Sequence, residues 1–413
     1  MIQSFPEFTV PVHLLQDPPR LLNALVGTAV ALNLAVAVWR LPQQEEWQVG
    51  ISLQPNPLPE LPELETSPPG FLFCPFDLSG TQPLHFLPAD IRYTSSRREL
   101  ILAPEQAADP SVQPLLHRFQ EEMTERLYSS RRVGWHSGEE ASHPTVAKSH
   151  FLEVVAEGVR QIQHEEMEKV VLSRTRQVPL PKGFDLLKVF LGLTHSYPLA
   201  FVSLVSVPES GTWMGASPET LVHLDRNQFF RTEALAGTQP YLPGTTTAEA
   251  IWRQKEIEEQ SLVVRYIIHC FKQLRLREYG ETGPRTMLAG NLMHLRTDFK
   301  VNLKEVDFPF LTTQMMRLLH PTSAVCGMPM EKAKKFILQN EGYSREYYSG
   351  FLGPVRLQEE IRLFVTLRCL QLTRSHLTVY AGAGVTGDSV PEKEWQETEM
   401  KMETMLSVVT QYT

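Results

Sequence analysis

The sequence predicts an α+β protein, on three observations. Stretches of helical period and short apolar runs of strand length both recur along the chain. Of its 413 residues, 42% are apolar and 21% charged, ample material for a core. No clear linker interrupts the last two thirds, so one large unit is expected rather than a string of domains.

The formal net charge of -8 argues against broad nucleic-acid or anionic-membrane binding, so an anionic substrate has to be met by a local basic pocket. Cys74, Cys270, Cys326 and Cys369 lie far apart with no C-x-x-C pair. Neither a zinc module nor a disulfide scaffold is indicated, and a reducing cytoplasm fits. Leu21 to Trp39 carries no charge and has the length of a membrane span. Asn23, Gly27, Thr28 and Asn33 interrupt it, and large and small apolar residues mostly alternate from Leu34 to Trp39. A short helix followed by a buried strand is predicted instead, with neither a membrane span nor a cleavable signal.

Taken in order, Met1 to about Pro144 holds strand-like runs at Trp47–Leu53 and Phe71–Phe76, separated by a stretch with six prolines between Leu53 and Pro69. Pro114–Tyr128 is predicted helical, with Leu116, Phe119, Met123 and Leu127 on one face. A polar, mobile connection is expected over Ser129–Pro144. Helical spacing resumes from Lys148 to Met167 and changes abruptly to a strand over Lys169–Val178, which puts Lys169 at a strand start. On position alone that lysine also fits a solvated strand end.

Strands follow around Ala200–Val207 and Thr212–Met214, and the turn Gly215-Ala216-Ser217-Pro218-Glu219 aims Glu219. After a strand near Thr220–Leu224, Thr232–Thr238 reads as a small-residue turn. A long helix over Thr247–Glu278 then buries a stripe including Ile251, Leu262, Val263 and Ile267. His294 sits among apolar neighbours, HPTSAVCGMP marks a structured loop, and Glu331–Gln339 is helical. Ile361–Leu370 alternates as a half-buried strand carrying Arg368. An arginine there is costly unless paired, so the protein's own acids compete with a carboxylate ligand for it.

The last stretch concentrates the chemistry. Ala381-Gly382-Ala383-Gly384 is expected as a turn whose amides an anion can approach closely. Ser389 and Glu392 flank Pro391 as a capping box opening a helix. On that helix Glu394 and Glu397 stand at i and i+3, and Glu256 and Glu259 repeat the spacing near the start of the earlier long helix. Two such helices facing each other offer oxygen ligands to one hard cation, with waters completing the octahedron magnesium prefers. Two solvated helix faces fit the same spacing.

EKVVLSR (Glu168–Arg174), GASPE (Gly215–Glu219), LAGT (Leu235–Thr238), KEIEE (Lys255–Glu259), NLMHL (Asn291–Leu295), HPTSAVCG (His320–Gly327), REYYSGFLG (Arg345–Gly353), LRC (Leu367–Cys369) and AGAG through EWQET (Ala381–Thr398) occur in this order. Together, from roughly Phe151 to Leu406, they resemble the chorismate-utilising enzymes, most closely the isochorismate-forming branch. The resemblance implies antiparallel sheets packed together with helices outside. Residues 1–145 would be a variable part of the same unit and 146–413 the chorismate-binding catalytic region.

It also implies roles. Lys169 matches the general base that activates water, and Glu219 the general acid. Glu259 and Glu397 match direct magnesium ligands, with Glu256 and Glu394 acting through water. Tyr348, Arg368, Lys401 and the amides of Gly382 and Gly384 match positions that hold substrate, and His294 lines the site. The implied reaction is magnesium-dependent isomerisation of chorismate: water adds at C2 and the C4 hydroxyl departs, the product feeding a quinone or siderophore.

Lys169 favours water over ammonia as nucleophile, so no glutaminase subunit is expected. Ala236 stands where relatives that attack covalently carry lysine. Salicylate synthesis, which makes the same intermediate and then eliminates pyruvate, remains an alternative, as does a silent chorismate-binding protein. Gln239 and Gln260 depart from the family pattern, standing where relatives often carry Arg and His.

Overall fold

Strand pairing in the computed structural model, which describes residues 17–129, 131–138, 145–241, 246–289 and 292–412, is antiparallel throughout. Among these residues one sheet has ten strands, in the order Gly327–Met328, Lys169–Pro179, His376–Val385, Cys369–Leu372, Gly211–Ser217, Phe201–Val207, Ala35–Arg40, Trp47–Ser52, Ile91–Thr94 and Glu99–Leu102. The other has nine: Gly280–Ala289, Leu292–Asn302, Phe229–Pro240, Thr220–Leu224, Glu360–Val365, Phe351–Leu357, Gly70–Cys74, Leu84–Pro88 and Asn56–Leu58. Strands from the first 145 residues extend both sheets.

The sheets meet through an aromatic layer. Phe201 stacks on Phe364 with ring centroids 4.1 Å apart, and Phe73 on Tyr347 at 3.8 Å. Large planar side chains fill such an inter-sheet space with few rotamers to freeze. The far face of the ten-stranded sheet is covered by helices Pro18–Ala31, Gln113–Leu127, Leu186–Ser196 and Pro391–Tyr412, which share one apolar cluster with it. Helices Gln254–Gln273 and Leu311–Leu319 cover the nine-stranded sheet in the same way. All four cysteines are buried and free.

Leu21–Trp39 forms the expected helix and strand, and among the described residues no helix is long and apolar enough to cross a membrane. Several local expectations are corrected. The long helix splits into a short 3-10 turn, Thr247–Glu249, and a helix, Gln254–Gln273, which leaves Ile251 84% exposed instead of buried. TEALAGT is not a turn but part of strand Phe229–Pro240, whose register shifts between Ala236 and Gln239, with Gly237 at φ 64°. AGAG likewise lies within a strand. Ser389 does not pair with Glu392 in a capping box; its hydroxyl accepts from the Thr386 amide, and Glu392 bonds Lys148. In the connection expected to be mobile, Val133 and His136 are buried, and His136 N–H donates to Ser206 Oγ. Residues 130 and 139–144 of it lie outside the described residues, as does Asn291 of NLMHL.

Candidate active site

At two neighbouring points among those where the chain passes from one sheet to the other, a functional side chain stands beside the pocket. Strand Gly211–Ser217 belongs to the ten-stranded sheet and Thr220–Leu224 to the nine-stranded one, with Pro218 and Glu219 between them. Strand Glu360–Val365 returns to Cys369–Leu372 through Thr366, Leu367 and Arg368. Ile361–Leu370 is therefore two strands rather than one, broken at Arg368 in the left-handed region with φ 47°.

A pocket of about 700 Å³ including its mouth opens where the sheets part. It brings together Lys169, Glu219, Glu259, His294, Tyr348, Arg368, Gly382, Gly384, Glu397 and Lys401. Of the twelve residues singled out in the sequence, the two outside its lining are Glu394 and Glu256. Glu394 is buried and takes a 2.6 Å bond from Lys255 Nζ, while Glu256 turns back to accept the Arg253 amide at 2.9 Å, as a helix cap.

Each side chain is placed for a physical reason. Lys169 is 2% exposed at the start of its strand. Burial, helped by Lys401, pushes its ammonium below the ordinary lysine range, although Glu259, Glu219 and Glu397 oppose this. Glu219, also buried, is pushed up to about 8 by desolvation first and then by Glu233, against Lys169, Lys401 and the Thr322 hydroxyl. One pocket thus holds a weakened acid and a weakened base, a pairing suited to proton transfer near neutrality.

His294 is neutral, its pKa lowered to about 3 by burial and by Arg368 and Lys401. Nδ1 bonds the Gly237 carbonyl at 2.9 Å, while Nε2 is buried with no protein partner among the described residues. With Nδ1–H donating, Nε2 is an acceptor in the pocket wall. Arg368 makes one long bond, to Thr404 Oγ1 at 3.4 Å, and no ion pair among the described residues. The competition from the protein's own acids does not materialise, which leaves a planar cation directed at the pocket.

The two glycines serve the strand edge. Lys401 Nζ donates to the Gly382 carbonyl at 2.9 Å. In an extended strand a residue's N–H and C=O point the same way, so the Gly382 amide faces the pocket edge, and Gly384, two residues on, does too. A Cβ on Gly382 would lie 2.9 Å from the Tyr348 hydroxyl, and one on Gly384 3.3 Å from both Glu259 Oε1 and Lys169 Cε. Small residues are required because other side chains occupy that space, a different reason from the turn expected.

Among the described residues no group of three or more His, Cys, Asp or Glu side chains is gathered to hold a metal alone. Glu259 and Glu397 do meet in the pocket. Burial, with Glu397 and Glu394 adding to it, raises Glu259 above the ordinary carboxylate value despite Lys169 and Lys255. Burial pushes Glu397 the same way but is outweighed by Lys401, 2.6 Å distant, with Lys255 and Arg368, so its value falls. Two half-buried, oxygen-only donors of like charge suit a hard divalent cation that keeps several waters, the habit of magnesium.

Three contributors escaped the sequence reading. Lys255 neutralises Glu394, and Gln260 holds the bulged strand by accepting the Ala236 amide at 3.0 Å and donating to the Ala234 carbonyl at 3.2 Å. Glu233 is buried beside Glu219. Only Gln260 gave a signal, as a departure from the family pattern.

A family model described as "Chorismate binding enzyme" matches residues 85–410, more than three quarters of the chain. The vibriobactin-specific isochorismate synthase of Vibrio cholerae serotype O1 is 28% identical over 260 residues, covering 60% of this chain and 64% of that protein. Isochorismate synthase DhbC of Bacillus subtilis is 31% identical over 264 residues, covering 61% and 65%. The chain thus spans just under two thirds of the length of these relatives. Among solved structures, MenF, the menaquinone-specific isochorismate synthase from Escherichia coli, has a TM-score of 0.71 at 22% identity, over 93% of this chain and 91% of that one. Anthranilate synthase component I from Streptococcus pneumoniae has a TM-score of 0.64 at 19% identity, over 84% and 82%. At such identities these likenesses speak for the fold, but with the family match across most of the chain the conclusion is plain: the protein belongs to the chorismate binding enzyme family.

Proposed function

We infer that the protein isomerises chorismate to isochorismate. The observation that carries this reading is the placement, in one pocket, of a buried lysine held below the usual ammonium range and a buried carboxyl pushed up to about 8. Lys169 as free amine takes a proton from water while the oxygen bonds to C2. The ring double bonds shift, the C4–O bond breaks, and Glu219 protonates the departing hydroxyl, which leaves as water. One water enters and one leaves, so the net change is isomerisation. Lys169 and Glu219 then reset by proton exchange with solvent.

Arg368 and Tyr348 hold one substrate carboxylate, the Gly382 and Gly384 amides and Lys401 help fix the ring, and His294 accepts a hydrogen bond through Nε2. Glu259 and Glu397 are the residues that would hold Mg2+ directly, with Glu394 and Glu256 behind them. When bound, the ion would neutralise and orient a second substrate carboxylate in this crowded anionic corner. A water nucleophile needs no ammonia-supplying subunit.

The test is to incubate the chain with chorismate and magnesium, with and without chelator and ammonium, and identify products by chromatography and mass. Isochorismate alone, lost with the chelator and indifferent to ammonium, is expected. Salicylate with pyruvate would move the assignment to the eliminating relatives, anthranilate on adding ammonium would move it to an amine-forming one, and tight binding without turnover would refute an enzymatic role.

A further inference from the structure

Glu233 is a buried carboxylate that the proposed reaction does not touch, and its place is unusual. Strands Thr220–Leu224 and Phe229–Pro240 pair only at His223↔Arg231 and Leu224↔Phe230. Beyond that they diverge toward the pocket, and side chains replace the missing ladder. Thr232 Oγ1 donates to the Leu221 carbonyl at 2.7 Å, and Glu233 Oε1 accepts the Thr220 amide at 2.7 Å. Thr220 directly follows Glu219, so this bond fixes the residue on which Glu219 is mounted. The other oxygen, Oε2, takes Arg296 Nη2 at 2.8 Å, and Arg296 is held in turn by Asp298 at 2.6 Å.

Both Glu233 oxygens therefore face donors, one of them the Arg296 guanidinium, which favours the carboxylate form. Burial raises this carboxyl, while Arg296 and the Thr220 amide favour its charged form; the two-donor geometry makes it the anion. Glu219 faces Glu233 from strand Phe229–Pro240, Lys169 from strand Lys169–Pro179, Lys401 from helix Pro391–Tyr412, and Thr322 from the loop after helix Leu311–Leu319. Among these groups Glu233 is the one anion, opposing the Lys401 ammonium, and Lys169 whenever that amine carries its proton.

We propose that Glu233 is a positioning residue for Glu219, anchoring the crossover through Thr220 and setting a fixed negative charge, braced by Arg296, behind the acid that protonates the leaving hydroxyl. The proposal rests on the acid role assigned to Glu219. Its consequence is that Glu233 extends the alkaline range over which Glu219 keeps its proton.

The experiment titrates the full chain by difference infrared spectroscopy, following the protonated-carboxyl band that Glu219→Gln removes, and in parallel records the pH profile of chorismate turnover. In Glu233→Gln the band and the alkaline limb should both move down by about one pH unit, while Glu233→Asp, which keeps the charge, should stay near wild type. Should the glutamine amide clash with Arg296 and prevent folding, Glu233→Ala removes the charge without adding donors and should move the band the same way. A band and limb unmoved in the neutral variants, with activity lower at every pH, would overturn the proposal and leave Glu233 a structural brace. Because the band needs no turnover, its movement in an inactive protein would sustain the coupling while refuting the acid role of Glu219.

Discussion

The Ser217 hydroxyl donates to the Val365 carbonyl at 2.5 Å, and this bond joins the two neighbouring crossovers that carry Glu219 and Arg368. The Val365 amide returns a bond to the Glu219 carbonyl at 3.1 Å, and the Ala216 amide donates to the Arg368 carbonyl at 3.0 Å. Glu219 and Arg368 are thereby held on one short scaffold. Ser217→Ala should leave a buried carbonyl short of a partner, at a cost of about 1–3 kcal/mol. Urea denaturation would measure the loss, and turnover should fall with it as the crossovers loosen.

Glu219→Gln should separate catalysis from stability. In the wild type the carboxyl ionises near 4.5 when unfolded but holds its proton to about 8 when folded. Between those values the folded state binds the extra proton, so the contribution of Glu219 to stability falls as pH rises and levels off above about 8. The glutamine variant lacks this slope. Relative to wild type it should gain stability steadily across that window, seen as a widening difference in melting temperature, while turnover drops by about 10²–10⁴. Parallel melting curves would sink the assignment of a raised carboxyl.

Arg368→Met should weaken chorismate binding by about 100-fold, the loss expected when a charge-assisted pair is removed. Among the described residues Arg368 has no ion-pair partner to strand, so folding stability should hold or rise. Calorimetric titration with chorismate, alongside thermal melts, separates the two effects.

Gly384→Ala places a methyl 3.3 Å from Glu259 Oε1 and Lys169 Cε, so both must give by a few tenths of an ångström. The chain should fold, with apparent magnesium affinity and turnover each reduced by about tenfold. Gly382→Ala should be worse, because its methyl meets the Leu172 carbonyl, fixed backbone, at 3.0 Å as well as Tyr348. Magnesium-dependence curves of the two variants would rank them.

The sequence was most legible where one signal had one structural meaning. The change from helical to alternating period located the start of strand Lys169–Pro179, and the interruptions in Leu21–Trp39 separated helix from strand. The two crossovers beside the pocket are invisible in the sequence because alternation of apolar residues is the same whether or not the chain changes sheet, and Ile361–Leu370 alternates through Arg368 as one strand would. Small-residue runs misled for a related reason: TEALAGT and AGAG have the composition of turns, yet their smallness serves neighbouring side chains that enter from other elements. Glu233 and Lys255 are hidden because a charged residue looks alike in sequence whether it caps a backbone gap, neutralises an acid or faces solvent.

The way early strands feed both sheets has a bearing on dissection of the protein. Removing residues 1–145 would strip Ala35–Arg40 from Phe201–Val207 and Gly70–Cys74 from Phe351–Leu357, leaving two largely apolar strands with unpaired edges. Bare edges of that kind recruit other chains. The part from residue 146 on is therefore no detachable cassette: expressed alone it would polymerise through its edges sooner than it would stay a single chain, and grafts or fusions have to carry both parts together.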